Sequence, residues 1–133
     1  MTTERINCSG LLHASLIVAD TGRALAFYRD VLQLPVLPNR PELGYPGAWL
    51  AVGRQQIHLL ELPNPDPVEG RPAHGGRDRH TALAIDDLEP LLRALQRHHI
   101  AYTLSRSGRR ALFCRDPDGN ALEFIEQPGP VSP

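Results

Sequence analysis

The sequence predicts an α+β fold built from two βαβββ modules, with helices packed outside mixed sheets, and three observations support this prediction. A short β-type apolar run is followed by a helical apolar pattern and then by several short strands. The same order of elements occurs again in the second half of the chain. The 133 residues, 41% of them hydrophobic, are enough for one domain with a buried core. We therefore treat residues 1–133 as a single domain.

The first module spans about residues 11–62. It opens with the β-type run LLHASLIV at 11–18, and Asp20 then stands where it can cap a helix. Apolar residues at helical spacing predict a helix that ends before Pro35. Short apolar runs separated by Pro, Gly and Asn predict three further strands, near 36–38, 48–52 and 55–62.

The second module, about 78–127, repeats the first after a linker of about 63–77 that is rich in Pro and Gly. We expect this linker to be a connection or a mobile loop. An offset of 67 residues places His13 on His80 and aligns LLHASLIVAD with DRHTALAIDD without a gap. At the last strand the offset shrinks to 65, which places His58 on Glu123. Apolar patterns can match by chance, but such a match would not pair metal-competent residues at two separate places.

The repeat thus points to four candidate metal ligands, which are His13, His58, His80 and Glu123. A single histidine on a strand is more often structural, and the set of four reverses that expectation. Three imidazoles and one carboxylate suit zinc, nickel, iron(II), cobalt or manganese better than calcium. The sequence therefore predicts one divalent transition metal and leaves its identity open.

Strand alternation predicts which residues lie beside these ligands. The face that carries His13 also carries Ser15 and Ile17, and the face that carries His80 also carries Ala82 and Ala84. These four neighbours are small or apolar, so they leave space and predict the lining of a substrate cavity. They carry no chemistry that would identify the substrate.

Composition excludes several classes of function. A formal net charge of −1 gives no reason to expect nucleic acid and favours a small neutral or anionic ligand. Two cysteines are too few for a disulfide framework and fit a reducing compartment. The first residues lack the pattern of a secretory signal, and no segment approaches a membrane-spanning length. We expect a cytoplasmic protein without a membrane partner.

Other charged residues have simpler interpretations. His74 falls in the linker, where we expect it to be solvated rather than part of a lid. The DPDGN segment that begins at Asp116 predicts a turn rather than a calcium loop. Four arginines near the second sheet could anchor an anionic substrate group or could simply form a solvated face; they are Arg106, Arg109, Arg110 and Arg115.

Three segments and the two repeat-opening histidines, His13 and His80, together resemble the vicinal oxygen chelate superfamily. The segments are AFYRDVLQL at 26–34, IHLLELP at 57–63 and RDPDGNALEF at 115–124. This superfamily includes glyoxalase I, extradiol dioxygenases and bleomycin resistance proteins. The resemblance implies sheets that curve into a cup around one divalent ion. It also implies a homodimer, with ligands that can come from both chains, and it assigns those ligands to the same four positions.

The resemblance further implies a function. A glyoxalase-like lyase or isomerase would bind a small substrate through two adjacent oxygens and move a proton, with Glu123 as the base. The glyoxalase I pattern usually has a second carboxylate where this chain has His58, which places methylglyoxal chemistry in doubt. One alternative is an iron-dependent extradiol-type dioxygenase that uses His13, His80 and Glu123. Another is a metal-free, drug-binding resistance protein.

Overall fold

The computed structural model describes residues 4–127, which form seven strands and two α-helices. In the first half the elements are β1 (His13–Val18), α1 (Thr21–Tyr28), β2 (Gly47–Val52) and β3 (Gln55–Glu61). In the second half they are β4 (His80–Ile85), α2 (Leu88–Arg97), β5 (Tyr102–Leu104), β6 (Ala111–Arg115) and β7 (Ala121–Glu126). A short 3₁₀ helix, Gly75–Arg77, lies between the halves. Across residues 4–127, neither α-helix has the length and apolar character needed to cross a membrane.

The strands form two mixed sheets, one from each half of the chain. Sheet A has the strand order β1-β3-β2, and sheet B has the order β4-β7-β6-β5. In each sheet the first strand is parallel to the last strand of its module, and the remaining pairs are antiparallel. The predicted fold class, an α+β fold with two helices on mixed sheets, is confirmed.

The parallel pairs of the two sheets share one register. His13 lies opposite Gln56 in sheet A, and His80 lies opposite Ala121 in sheet B. Glu123 therefore has the same position in sheet B, opposite Ala82, that His58 has in sheet A, opposite Ser15. This is the equivalence that the reduced offset of the sequence alignment predicts.

One predicted strand is wrong. Residues 36–38 make only an isolated bridge, between Val36 and Leu50. Two backbone hydrogen bonds flank it, from Leu37 N to Trp49 O at 2.8 Å and from Ala51 N to Pro35 O at 2.9 Å. Pro35 and Pro38 flank Val36 and Leu37. Because proline has no N–H to donate, the pairing cannot extend into a strand.

Both helices begin at an aspartate, as the repeat predicts. The Asp20 carboxylate accepts from Arg23 N at the start of α1, and the Asp87 carboxylate accepts from Glu89 N at the start of α2. The apolar faces of both helices then pack against the sheets in one core that includes both modules. Its most deeply buried side chains are Val18, Tyr28, Leu50, Leu59, Leu95, Leu112 and Leu122.

The predicted DPDGN turn is confirmed, and it joins the two modules. The Tyr28 hydroxyl donates to Asp116 Oδ2 at 2.6 Å, and Ala19 N donates to Asp118 Oδ1 at 2.9 Å. Asn120 Nδ2 also donates to the Ile17 carbonyl at 3.1 Å. Burial, followed by the nearby Asp116 charge, raises the pKa of Tyr28 well above its ordinary value. These hydrogen bonds between the modules fix the position of β1 relative to the β6–β7 turn.

The linker is held by specific contacts. Among its contacts, Arg71 binds Asp78 at 3.1 Å, and Arg115 donates to the Pro72 carbonyl at 2.6 Å. His74 is half-buried, and its Nδ1 lies 2.7 Å from Thr103 Oγ1. The expectation that His74 is solvated is therefore wrong, because the end of the linker around His74 and the buried Gly75 packs against sheet B.

Candidate metal centre

Two of the predicted ligands lie side by side on sheet B. His80 opens β4 and Glu123 lies on the neighbouring strand β7, with His80 Nε2 3.3 Å from Glu123 Oε1. Glu123 is only 3% exposed, while Ala82 and Ala84 on the same face are exposed. The small side chains of β4 therefore leave open space beside a buried carboxylate.

The backbone near the start of β4 fixes the orientation of His80. Its Nδ1 lies 2.9 Å from the carbonyl oxygen of Asp78, which can only accept a hydrogen bond. The proton of a neutral His80 ring is therefore on Nδ1, and Nε2 keeps a lone pair toward Glu123. The Asp78 carboxylate binds Arg115 at 2.8 Å and Arg71 at 3.1 Å. The hydrogen bond from Arg115 is the main reason that the pKa of Asp78 is lowered.

Aromatic and basic groups surround this pair. The Phe113 ring meets the edges of His80 and His74, with centroid distances of 5.2 Å and 4.8 Å. On the other side, Arg109 Nη2 lies 3.4 Å from Glu123 Oε2. Glu123 thus has one oxygen toward His80 and the other toward a guanidinium.

The other two predicted ligands form a stack on sheet A. The His58 ring lies between Trp49 and His13, with centroid distances of 4.2 Å and 3.9 Å and nearly parallel planes. His58 Nε2 donates to Gln56 Oε1 at 2.7 Å, so the ring nitrogen with a free lone pair is Nδ1. Burial, followed by the charges of His13 and Arg40, lowers the pKa of His58 and favours the neutral ring.

The four side chains do not converge within one chain. In the part of the chain that the structure describes, no group of three or more His, Cys, Asp and Glu side chains is placed to hold a metal ion. The predicted set is present as two pairs, His13 with His58 and His80 with Glu123. Ser15 and Ile17 line a cavity of about 260 Å³ together with His80, while Ala82 and Ala84 lie on the open face of sheet B.

The sheet B pair fits a divalent ion. Two ligand atoms that each lie about 2.1 Å from one ion are about 3–3.5 Å apart at tetrahedral or octahedral angles. The 3.3 Å between His80 Nε2 and Glu123 Oε1 falls in this range. The fixed ring tautomer and the buried carboxylate are also the features that metal ligands usually have. In sheet A, His58 and the exposed His13 supply nitrogen donors but face each other as stacked rings.

Sequence reasoning missed two supporting residues, Gln56 and Asp78, and did not distinguish Arg109 from the other arginines near sheet B. Gln56 lies two residues before His58 and so shares its face, a relation that strand alternation could have shown. The Asp78 carbonyl gave no signal, because a backbone contact does not depend on the residue type. Arg109 was one of four basic residues, and only the structure separates it from its neighbours.

Comparison with known proteins identifies the family. The model of the Glyoxalase/Bleomycin resistance protein/Dioxygenase superfamily matches residues 10–124. The chain belongs to this superfamily. Among its relatives, the lactoylglutathione lyase of Haemophilus influenzae is 31% identical over 127 residues, which cover 87% of this chain and 91% of the relative.

Solved structures of the superfamily show the same fold. A glyoxalase family protein from Bacillus anthracis matches 93% of this chain and 99% of its own, with a TM-score of 0.77 and 23% identity. An E126Q mutant of the fosfomycin resistance protein FosX from Listeria monocytogenes, complexed with Mn(II) and 1S,2S-dihydroxypropylphosphonic acid, has a TM-score of 0.71 at 17% identity. That match covers 90% of this chain and 93% of the FosX chain.

Proposed function

We propose that this protein is a divalent-metal-dependent enzyme of the glyoxalase type. It would act on a small substrate with two adjacent oxygens and transfer a proton, as a lyase or isomerase. The observation that carries this proposal is the His80–Glu123 pair, in which a fixed imidazole and a buried carboxylate lie 3.3 Å apart on an open sheet face. The 31% identity to a lactoylglutathione lyase supports the same class of chemistry.

We further propose that the metal centre is completed by dimerisation. The His13 and His58 pair of one subunit would meet the His80 and Glu123 pair of a second copy of the chain. Two features support this arrangement: the separation of the two pairs within one chain, and the exposed apolar residues beside His13. Leu11 and Leu12 are 81% and 79% exposed, as expected for side chains that another subunit covers.

The chemistry follows from the side chains. When bound, the ion would polarise the two substrate oxygens and stabilise the negative charge that develops on them. Glu123 would take the substrate proton on its carboxylate, where burial beside Phe113 limits competition from water. The Asp78 carbonyl would keep the His80 ring in the tautomer that presents Nε2. The FosX complex, which holds Mn(II), shows that this fold can carry such an ion in another member.

Metal content tests the first part of the proposal. We expect the wild-type protein to bind about one transition metal ion per chain, and His80→Ala or Glu123→Ala to weaken binding by about 100-fold or more. His98→Ala is the matched control, because His98 is an exposed histidine at the end of α2. Metal-free wild-type protein after reconstitution, or equal binding by all four proteins, would contradict the proposal.

Isotope exchange tests the reaction class. In D₂O, the metal-loaded enzyme should move deuterium onto the carbon next to the carbonyl of a small α-hydroxy carbonyl substrate, which proton NMR detects. Glu123→Gln should slow this exchange by about 10²–10⁴-fold, the range for loss of a general base. Exchange at the wild-type rate in Glu123→Gln would remove Glu123 from the catalytic role.

A metal-free binding protein is the second candidate function, and the stack on sheet A favours it. Trp49, His58 and His13 form three parallel rings, and the last of them is exposed. A planar ligand could extend this stack over His13. The measurement of metal content decides between the enzyme and the binding protein. The binding protein needs the exposed His13 ring and no metal ion.

A further inference from the structure

Three of the four arginines that follow β5 have very different environments. Arg110 binds Glu126 at 2.9 Å and Glu89 at 3.1 Å. Arg115 donates to Asp78 and to two backbone carbonyls at distances of 2.6–2.8 Å. Both guanidinium groups are therefore used by short contacts within the fold. Arg109 differs from them, because the two contacts of its guanidinium, at 3.1 Å and 3.4 Å, are longer.

Arg109 lies at the edge of the proposed metal centre. Its Nη2 is 3.4 Å from Glu123 Oε2, and its Nε donates to Ser107 Oγ at 3.1 Å. Ser107 is in turn held by Ser105, with 2.8 Å between the hydroxyl oxygens. The Arg109 side chain is 57% exposed although Glu123 is buried. Ser105 and Ser107 thus orient the largely solvent-accessible guanidinium of Arg109 toward the open face of sheet B.

We infer that Arg109 binds an anionic group of the substrate, a carboxylate, phosphate or phosphonate. This inference rests on the proposed function and narrows its substrate class to small anions with two vicinal oxygens. A guanidinium with exposed donors recognises such groups through charge-assisted, often bidentate hydrogen bonds. The 3.4 Å contact is long for such a bond, so an incoming anion can replace Glu123 at little cost.

The short distance between Arg109 and Glu123 also limits the size of the substrate. With a contact of about 3 Å to each partner, the anionic group and the carbon that loses the proton lie at most about 9 Å apart. The acidic group therefore lies within that distance of the reacting carbon. A carboxylate at the far end of a long conjugate would not reach Arg109 while its reactive carbon is at Glu123.

Competition between Glu123 and the substrate anion for Arg109 gives the inference a second consequence. In the free protein, the carboxylate of Glu123 neutralises the guanidinium. Once an anion binds Arg109, Glu123 Oε2 loses this partner and is free to accept a proton. Replacing Glu123 with a neutral residue should therefore strengthen anion binding, whereas replacing Arg109 should weaken it.

A titration of the metal-free protein with inorganic phosphate, and then with methylphosphonate, tests the inference. Backbone amide NMR shifts at fixed ionic strength would give the dissociation constants. We expect Arg109→Gln to weaken binding about tenfold or more, in line with loss of a charged hydrogen bond. Arg106→Gln is the matched control, since Arg106 is exposed in the same loop and the charge change is identical. It should alter the constant less than about twofold.

Glu123→Gln should tighten phosphate binding several-fold, and Arg109→Lys should restore part of the loss. Absence of phosphate binding to the wild-type protein, or equal effects of Arg109→Gln and Arg106→Gln, would overturn the inference. Metal content of the same variants separates the two proposals. A protein that binds metal but shows no dependence on Arg109 refutes only the inference. A protein that binds no metal but needs Arg109 for phosphate refutes only the metal-dependent function.

Discussion

Sheet A and sheet B carry their candidate ligands at equivalent strand positions but surround them differently. On sheet B, His80 is fixed by the backbone next to an ion-paired aspartate, Asp78. The position equivalent to Asp78 in the first module is Leu11, which is 81% exposed. On sheet A, His58 is held mainly by ring stacking and by Gln56. The repeat therefore preserves the placement of the ligands, while only sheet B is organised by a network of charges.

The two sheets would therefore contribute to the proposed centre in different ways. A preorganised pair on sheet B can bind an ion first, because its donor atoms already have a suitable spacing. The stacked pair on sheet A must turn its rings apart to offer both nitrogens. We therefore expect sheet B to dominate metal affinity and sheet A to complete the coordination.

The largest expected effect is on metal-dependent fluorescence. Trp49 is the only tryptophan of the chain and stacks on His58 at 4.2 Å, so its emission reports the state of sheet A. Metal binding to both pairs should change this emission and saturate at about one ion per chain. Glu123→Ala should abolish the change although Glu123 is on the other sheet. Unaltered emission on full metal loading would show that sheet A takes no part in binding.

A smaller effect is expected from the ion pairs that organise sheet B. Asp78→Ala should lower the free energy of unfolding by about 2–3 kcal/mol, because it leaves Arg71 and Arg115 without their carboxylate. It should also weaken metal binding about tenfold or more by loosening the support of His80. The matched control is Asp66→Ala, which removes an exposed pair with Arg79 and should cost less than about 1 kcal/mol. Equal losses in urea denaturation would contradict this account.

The ion pairs of Asp78 also predict a loss of stability in acid. The pKa of Asp78 is lowered in the folded protein, mainly by Arg115. The contribution of ionised Asp78 to the free energy of unfolding is therefore present above its unfolded-state pKa, near about 4. It is lost as the pH falls through the folded-state pKa. Asp78→Ala should reduce the difference in unfolding free energy between pH 6 and pH 3 relative to the wild type. Identical pH profiles would show that these ion pairs do not stabilise the fold.

The smallest expected effect on stability comes from the hydrogen bond between Tyr28 and Asp116, which joins the two modules. Tyr28 donates to Asp116, whereas the equivalent position of α2 is Leu95. Tyr28→Phe should cost about 1–2 kcal/mol at neutral pH. Because burial raises the pKa of Tyr28, its stabilising effect is fully present below about pH 10 and is lost as the pH rises through the folded-state pKa. Wild-type stability should thus fall more steeply than that of Tyr28→Phe in alkaline denaturation. Parallel curves would contradict the assignment.

Much of the fold was predictable because it depends on local patterns. The apolar run around His13 repeats at His80, and both histidines lie in strands, although β1 begins two residues after the start of the predicted run. The strand near 36–38 was not predictable from apolar character, because Pro35 and Pro38 remove the donors that a strand needs.

The site was only partly predictable. Residue types and repeat positions indicate the four candidate ligands. The stacking of His13 on His58 depends on strand register and side-chain rotamers, which no local pattern specifies. The separation of the two pairs depends on how the modules pack, and this is set by contacts such as Tyr28 with Asp116 across 88 residues of sequence.

The most direct test of the shared metal centre is complementation between two inactive variants. One carries His13→Ala and His58→Ala, and the other carries His80→Ala and Glu123→Ala. If each centre takes one pair from each subunit, a mixed dimer has one intact centre, and an equal mixture should bind about a quarter of the wild-type metal. Alone, the variant without the sheet B pair should bind almost no metal, and the variant without the sheet A pair should bind it far more weakly than the wild type. A mixture that contains mixed dimers by native mass spectrometry, yet binds no metal, would contradict the account.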